Sequence, residues 1–103
     1  MKQKKISGGL RKKRYFKRNK KSLPLVSIIT VVLNNKKFLE QSINSVLNQS
    51  YKNYELIIID GKSTDGTLDI LKRNDSKIDY WISEKDKKNL PLVSIITVVL
   101  NNK

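Results

Sequence analysis

The sequence predicts an α/β fold built on a partial, open and doubly wound parallel sheet, preceded by a basic N-terminal tail. Two runs rich in β-branched residues, Leu25–Leu33 and Tyr54–Ile59, have the apolar composition of strands inside a parallel sheet. A segment with helical spacing follows each run, and a third strand pattern follows the second helix. This alternating order is typical of right-handed crossovers between parallel strands.

The first strand and first helix have the clearest patterns. Leu25–Leu33 is nearly all apolar and too short for a typical helix, so we expect a strand buried on both faces. Asn34 and Asn35 supply turn residues after it. The helix is predicted over residues 37–49, because its apolar residues recur on one helical face: Phe38, Leu39, Ile43, Val46 and Leu47.

The second half of the pattern is shorter. Tyr54–Ile59 is predicted as a second buried strand, and Asp60–Thr67 as a polar loop rich in residues that favour turns and helix N-caps. A short helix follows from Leu68 to about Asn74. Residues 78–83 alternate between apolar and polar side chains and predict a third strand, within which we expect the aromatic rings to be packing groups.

Basic residues are concentrated at the start of the chain. Of the 22 Lys and Arg residues, 11 lie within residues 1–22, which hold no acidic residue, and the total net charge is +13. Tyr15 and Phe16 lie among them, which is compatible with RNA binding, with contact to an anionic membrane surface, or with a solvated arm. We favour a flexible arm; an anionic membrane surface stays open as its partner, and nucleic acid is disfavoured.

The composition excludes several kinds of chemistry. The chain has no Cys and no His, which rules out disulfides, thiolate nucleophiles and His-ligated metal sites. It has no run of about 20 apolar residues that would span a bilayer. The basic start followed by Leu23–Leu33 resembles a signal peptide, but no small-residue cleavage site follows. We therefore expect a cytoplasmic protein, with a peripheral position at the inner face of the membrane left open.

One segment of the sequence occurs twice. Leu23–Lys36 and Leu90–Lys103 both read LPLVSIITVVLNNK, an identity of 14 residues at an offset of 67. A solenoid would need more copies at a shorter period. We thus divide the chain into a tail (1–22), an α/β domain (23–88) and the duplicate (89–103). The duplicate is expected to fill a slot beside the first strand, parallel to its twin, or else to stay exposed and prone to intermolecular pairing.

The run VSIITVVLNNKKFLEQSINSVLNQSYKNYELIIIDGKSTDGTLDIL resembles the N-terminal half of the family-two glycosyltransferases. The resemblance covers about residues 23–86. It implies a GT-A, Rossmann-like fold and the transfer of a sugar from a nucleotide-sugar donor, with UDP-sugar as the expected ligand. The ending DYWISEKDK is similar to a subgroup from surface-polysaccharide and lipopolysaccharide biosynthesis. Residues 8–17 also fit sequence that precedes the first strand in that subgroup.

The resemblance implies a nucleotide-sugar site at Val31, Leu33, Asn34, Asp60, Gly61, Lys62 and Ser63. Ligands of open parallel sheets lie outside the carboxyl ends of the strands, which is where these residues fall. The first loop would cup the base and ribose, Asp60 would bind uracil or ribose, and Lys62 would face the diphosphate. Gly61 stands where many members carry a second acidic residue, which leaves the identity of the base open.

Each of these residues also has a plain structural interpretation. Asp60 could serve only as a turn residue at the end of a strand. Lys62 could be a solvated side chain. Ser63 and Thr64 could cap the following helix, and Asp65 is expected to favour that helix through its dipole.

The chain lacks the groups that the family uses for chemistry. Full-length members are expected to hold Mg²⁺ or Mn²⁺ on an Asp-x-Asp pair and to use a downstream carboxylate as base. No Asp-x-Asp occurs here, and no acidic residue follows Asp86. We expect no bound cofactor, no metal site, no catalytic residue and no turnover by this chain alone, as for an inactive fragment. The alternatives are a small basic protein that binds nucleic acid or an anionic membrane, and a gene remnant without function.

Overall fold

The computed structural model describes residues 6–14, 16–18, 23–84 and, as backbone, 94–101. Five strands and two helices are present in these ranges. They are β1 (Ile6–Gly8), β2 (Leu25–Val32), α1 (Lys36–Asn48), β3 (Tyr54–Asp60), α2 (Thr67–Arg73), β4 (Tyr80–Ser83) and β5 (Ser94–Asn101). The predicted α/β class is confirmed, and each predicted strand and helix is found within about two residues of its expected bounds. Neither helix of the described chain is long and apolar enough to cross a membrane.

The strands form one mixed sheet in the order β1-β4-β3-β2-β5. Its centre is parallel: β2 pairs with β3 from Val26↔Tyr54 to Val32↔Asp60, and β4 continues the sheet up to Asp60↔Ser83. The two outer strands run antiparallel to their neighbours. Since β2, β3 and β4 follow one another in one direction, crossovers of one hand place α1 and α2 on one face of the sheet, where the two helices contact each other.

The core lies between the helices and that face of the sheet. α1 begins after Asn35, whose side chain accepts a hydrogen bond from the backbone N–H of Phe38 at 3.4 Å. Burial of a large aliphatic side chain contributes roughly 1.5–3 kcal/mol, so this layer supplies most of the apolar stabilisation. Its fully buried members include Val32, Leu39, Ile43, Leu56, Ile58, Ile70, Leu71 and Ile78.

The opposite face of the sheet is less covered than the sequence predicted. Ile29, Val31 and Ile57 are half-buried, and Ile59 is 38% exposed. The expectation that β2 and β3 are buried on both faces is therefore wrong at their carboxyl ends. Neither helix of the described chain shields this face, because both pack on the other one.

The described part of the N-terminal tail belongs to the sheet. β1 pairs with β4 from Ile6↔Ser83 to Gly8↔Trp81. The chain then forms a 3₁₀ turn at Leu10–Lys13, and the N–H groups of Leu10 and Arg11 donate to the carbonyls of Ile78 (2.9 Å) and Asp79 (2.8 Å). The expectation of a flexible arm is thus wrong for residues 6–14.

Close packing against β4 and the residues before it explains the glycines of this segment. A Cβ atom at Gly8 would lie 2.6 Å from the Trp81 Nε1, and Gly9 has a φ of 102°, which L side chains rarely adopt. Trp81 is buried, as the sequence predicted for a packing residue. Gly8 therefore lets β1 lie directly on the indole ring, and Gly9 lets the chain turn against the backbone of Asp79 and Tyr80.

Two buried carboxylates of the sheet are neutralised by this basic segment. Glu55 accepts a hydrogen bond from the Arg11 guanidinium and a second from the Ser27 hydroxyl at 2.6 Å. The Lys17 ammonium lies 3.1 Å from the Asp79 carboxylate and 4.5 Å from the centre of the Tyr54 ring. Glu55 is 7% exposed and Asp79 is 1% exposed. Carboxylates this deeply buried require partners of this kind.

A third carboxylate, that of Asp75, holds the N-terminal segment on β4. It accepts hydrogen bonds from the Gly9 N–H at 2.7 Å and from the Trp81 indole at 2.8 Å, and the Lys13 ammonium is 3.5 Å away. Partial burial alone would raise the pKa of Asp75. The hydrogen bonds and the Lys13 charge outweigh burial, so the pKa lies below its usual value of 3.8.

The pairing of Lys17 with Asp79 also bears on Tyr54, whose ring lies beside the same ammonium group. The pKa of the Tyr54 hydroxyl is raised, first by burial and second by the negative charge of Asp79.

The duplicated segment takes the predicted place but the opposite direction. β5 lies beside β2, as expected, and is antiparallel to it, from Leu25↔Asn101 to Val32↔Ser94. The prediction of a parallel pair is wrong. Ser83, Asp60, Val32 and Ser94 occupy one row across the sheet, so an antiparallel β5 starts at the end where β4 stops. The distance from the end of β4 to the start of β5 is then about 14 Å, or three strand spacings. A parallel β5 would start at the opposite end of the sheet, so the chain would first have to run back along the length of the strands.

Removing the partner of Glu55 should destabilise the fold. We expect Arg11→Met to lower the free energy of unfolding by about 2 kcal/mol, because it leaves a buried carboxylate unpaired. Lys12→Met removes the same charge from an exposed neighbour and should change it by less than about 0.5 kcal/mol. The double variant that combines Arg11→Met with Glu55→Gln should recover part of the lost free energy of unfolding, as measured by urea unfolding. Equal effects of the two single substitutions would contradict this role.

Acid should weaken the attachment of the N-terminal segment. The folded pKa of Asp75 is depressed, so its contribution to stability is complete above the pKa of the unfolded chain and is lost as the pH falls through the folded value. Between about pH 5 and pH 3, the wild type should lose more unfolding free energy than Asp75→Asn. Urea unfolding followed by Trp81 fluorescence measures the difference, and parallel pH profiles of the two proteins would contradict the assignment.

Candidate functional site

Two loops meet where the parallel strands end, at the carboxyl end of the sheet. One follows β2 and the other follows β3. Gly61 continues the pairing of these strands for one residue, since its N–H donates to the carbonyl of Val32 at 3.0 Å. We call residues 33–36 and 60–66 together the two-loop site.

Asn34 joins the two loops. Its backbone N–H donates to the Ser63 hydroxyl at 2.7 Å, and its side-chain oxygen accepts the N–H of Thr64 at 2.7 Å. Asn34 has a φ of 48°, in the left-handed region that Asn tolerates better than most residues. These bonds hold Asn34, which is exposed at the tip of the first loop, in a fixed position against the second loop.

Asp60, the last residue of β3, holds the second loop of the site through its carboxylate. Its carboxylate accepts hydrogen bonds from the backbone N–H of Ser63 at 3.1 Å, from the Ser63 hydroxyl, and from the Ser83 hydroxyl at 2.7 Å. The residue is 0% exposed. The structure thus gives Asp60 the turn-stabilising role that the sequence left open, and it presents no surface to a ligand. A direct contact between Asp60 and a nucleotide stays a prediction that this arrangement disfavours.

The other predicted residues surround this network. Leu33 packs against Gly61, where an added Cβ would come 3.3 Å from the Leu33 Cδ1. Lys62 is half-buried and has a φ of 71°, which is uncommon for a long side chain. Val31 lies one residue inside β2, beside Ile59. Of the seven predicted residues, six lie in the two loops, namely Leu33, Asn34, Asp60, Gly61, Lys62 and Ser63. Val31 sits deeper, on the half-covered face of the sheet.

Asp65 forms a second tie between the loops, which the sequence had not indicated. Its carboxylate accepts the N–H of Lys36 at 3.2 Å, at the start of α1, and the N–H of Thr67 at 3.2 Å, at the start of α2. Burial alone would raise the pKa of Asp65, but hydrogen bonds from the Thr67 hydroxyl and from these backbone groups outweigh it, so the pKa is lowered. Its charge favours the amino end of α2, as predicted.

The capping role predicted for Ser63 and Thr64 is wrong. α2 begins at Thr67 with Gly66 as its N-cap, which has no side chain to offer. Ser63 and Thr64 instead bond to Asp60 and Asn34. Ser83 is a further contributor that sequence reasoning missed, because it lies 23 residues from the carboxylate it contacts. The Asp60-x-x-Ser63 spacing was the local signal, since Asp commonly accepts the N–H of a residue two or three positions on.

The described residues do not fit the divalent metal that the resemblance implies. Within the described ranges, no group of three or more acidic, His or Cys side chains lies close enough to hold an ion. The oxygens of Asp60 and Asp65 are already engaged by hydroxyl and N–H donors. Asp86 lies outside the described residues.

A separate cleft of 320 Å³ lies beside the two helices, away from the predicted site. It is lined by Glu40, Ile43, Asn44, Arg73 and Asn74. None of the predicted nucleotide-binding residues contributes to it. The geometry of the two-loop site depends instead on hydrogen bonds within the loops.

Comparison with known proteins identifies the family. The family model for glycosyl transferase family 2 matches residues 27–88, more than half of the chain. A Bacillus subtilis protein named as a teichuronic acid biosynthesis glycosyltransferase, TuaG, is 50% identical over 59 residues, covering 57% of this chain and 23% of its own length. The Bacillus subtilis glycosyltransferase named EpsE is 54% identical over 50 residues, covering 48% of this chain and 18% of its own length.

A third relative carries a more specific name. The UDP-Glc:alpha-D-GlcNAc-diphosphoundecaprenol beta-1,3-glucosyltransferase WfaP of Escherichia coli is 46% identical over 57 residues, covering 54% of this chain and 23% of its own length. The chain thus spans about a quarter or less of the relatives it matches. No solved structure matches it significantly. The match over the strands and loops that build the two-loop site shows that this chain belongs to glycosyl transferase family 2.

Proposed function

We propose that the two-loop site binds the nucleoside diphosphate part of a nucleotide-sugar, with UDP-sugar as the donor. The observation that carries the proposal is the hydrogen-bonded junction of the loops after β2 and β3. Asn34, Ser63 and Thr64 bond across it, and Asn34 and Lys62 both hold left-handed backbone conformations. Unfavourable conformations of this kind are concentrated at functional sites, and ligands of open parallel sheets bind at this end of the strands.

The residues of the site would divide the work by chemistry. Leu33 and Val31 offer apolar surface to the base, and the exposed Asn34 offers an amide to the ribose or the base. Lys62 supplies the positive charge that a diphosphate requires. Asp60 acts as a positioning residue, because it fixes Ser63 and through it the backbone of Lys62. This division supports UDP binding without any direct contact from Asp60.

The donor and pathway rest on the relatives. The name of WfaP specifies UDP-Glc as donor and a lipid-linked diphosphate as acceptor, and the name of TuaG specifies teichuronic acid biosynthesis. We extend this to the present chain as a donor-binding half for polysaccharide or lipid-linked sugar synthesis. The sequence holds neither an Asp-x-Asp pair nor a carboxylate after Asp86. Binding without transfer is therefore the activity proposed for these 103 residues.

Calorimetric titration of the full chain with UDP tests the proposal. We expect saturable binding, weakened about tenfold by Lys62→Gln, because one charge-assisted contact to phosphate contributes about 1.4 kcal/mol or more. Lys72→Gln removes the same charge from the exposed side of α2 and should leave the affinity unchanged. Absence of UDP binding, or equal affinities for the two variants, would contradict the site. Transfer of glucose from UDP-glucose by the purified chain would overturn the proposal that it binds without transfer.

We also propose that the protein is cytoplasmic and contacts the anionic inner face of the membrane through its N-terminal segment. Phe16 is 60% exposed and Leu23 is 42% exposed. Lys12, Arg14 and Arg18 are exposed in the same stretch, which combines the apolar and basic groups that peripheral binding uses. Five further basic residues of the tail, Lys2, Lys4, Lys5, Lys20 and Lys21, lie outside the described residues.

This surface lies far from the two-loop site. The carbonyls of Arg18 and Leu23 accept hydrogen bonds from the Asn53 side chain, beside the amino ends of β2 and β3. Membrane contact and nucleotide binding would thus use opposite ends of the sheet. Binding at one end should not exclude the other.

Co-sedimentation with lipid vesicles tests the membrane contact. The chain should bind vesicles rich in phosphatidylglycerol and not vesicles of phosphatidylcholine alone, with affinity falling as salt is added. Phe16→Ser should weaken binding, whereas Phe38→Ser, in α1 beside the two-loop site, should not when the variant is folded. Equal binding to both vesicle types, or no binding to either, would contradict this contact, while UDP binding would stand unaffected.

A further inference from the structure

The two edges of the sheet differ in how well they resist pairing with another chain. At one edge, β1 has three residues, contains glycine and leads into the basic 3₁₀ turn. At the other edge, β5 has eight residues, SIITVVLN, with no charge and no proline. Short strands and glycine protect an edge, and β5 has neither; the charge nearest to it in the sequence, Lys103, lies two residues beyond its end. Among the described residues, no strand pairs with its outer side.

β5 has the sequence of a central strand. Its eight residues are identical to residues 27–34, most of which form β2. β2 is paired on both sides, with β3 and with β5. The same sequence therefore already accepts two neighbouring strands elsewhere in this sheet. Among the described strands, only one of the two positions beside β5 is filled.

We propose that the outer edge of β5 pairs antiparallel with β5 of a second copy of this chain, about a two-fold axis perpendicular to the sheet. The result is a closed dimer with a continuous ten-stranded sheet. Such an interface is self-complementary, since the same strand lies on both sides of the axis. Of the described strands, it leaves the two short β1 strands as the outer edges, so growth stops at two copies.

The distribution of charge favours association of two chains through β5 over association through β1. The chain carries a net charge of +13, and half of its basic residues belong to the N-terminal segment. The segment continues from β1 to Arg18, beside Asn53, and the charges of Arg11 and Lys17 are paired there with Glu55 and Asp79. β1, where the described part of the segment starts, is four strand positions from β5, or about 19 Å. This exceeds the Debye length of about 8 Å at physiological salt. Pairing through β5 keeps the β1 edges of the two copies apart, whereas pairing through β1 would bring their basic segments together.

Sedimentation equilibrium of the full chain tests whether the dimer forms. The expected mass is twice the 11.9 kDa of one chain, at physiological salt and without ligand. A monomer at all concentrations would overturn the proposal. A mass that keeps rising beyond the dimer with concentration would also overturn it, because the two-fold interface is closed. Neither result depends on UDP binding, so the two proposals fail separately.

Substitutions in β5 test where the interface lies. Thr97→Lys places a charge on the edge strand and should raise the dimer dissociation constant about tenfold or more. Ser45→Lys adds the same charge to the exposed side of α1 and should leave the dimer intact. A Thr97→Lys chain as dimeric as the wild type would contradict the assignment.

A pair of proline variants separates the two sides of β5. Neighbouring residues of an antiparallel strand direct their N–H groups to opposite sides, so Thr97→Pro and Val98→Pro each remove one N–H, on different sides. The variant that loses the outward N–H should be monomeric and should have the melting temperature of the Thr97→Lys chain. The other should melt earlier, because it loses pairing with β2. Two variants that both keep the dimer would place the interface elsewhere and overturn the proposal.

Discussion

The fold depends on the neutralisation of two carboxylates buried at the amino ends of β3 and β4. Glu55 and Asp79 are almost inaccessible to water, and their partners, Arg11 and Lys17, come from the basic segment before β2. An unpaired charge in such a place costs several kcal/mol. The segment is therefore bound by electrostatic necessity as well as by the pairing of β1, and part of the strong positive charge of the chain is a structural counter-charge.

This pairing is linked to the geometry of the candidate site. The Asp79 carboxylate accepts the N–H of Leu56 at 2.8 Å, and the Asp79 N–H donates to the Leu56 carbonyl at 3.0 Å. These bonds fix the register of β4 on β3. That register places Ser83 opposite Asp60, where its hydroxyl reaches the carboxylate. Asp60 in turn holds Ser63, so the positions of the loops follow from contacts near the other end of the strands.

The sequence predicted what short-range patterns encode. The apolar runs of β2 and β3 and the 3.6-residue spacing in α1 gave the parallel centre and its helices, and turn residues marked the two-loop site. Other features depend on contacts between distant residues: Arg11 meets Glu55 across 44 positions, and Ser83 meets Asp60 across 23. β1 has too few residues to show a pattern, and the direction of β5 follows from where β4 ends. The burial of Asp60 could not be predicted from its position at the start of a turn.

Amide hydrogen exchange at Leu10 and Arg11 tests most directly whether the basic segment is an integral part of the fold. Their N–H groups donate to the carbonyls of Ile78 and Asp79, and the Arg11 side chain binds Glu55. We predict protection comparable to that of the β4 amides, with exchange mainly through global opening. Exchange at the rate of an unstructured peptide, while β3 stays protected, would show that the segment is a flexible arm and would contradict this account.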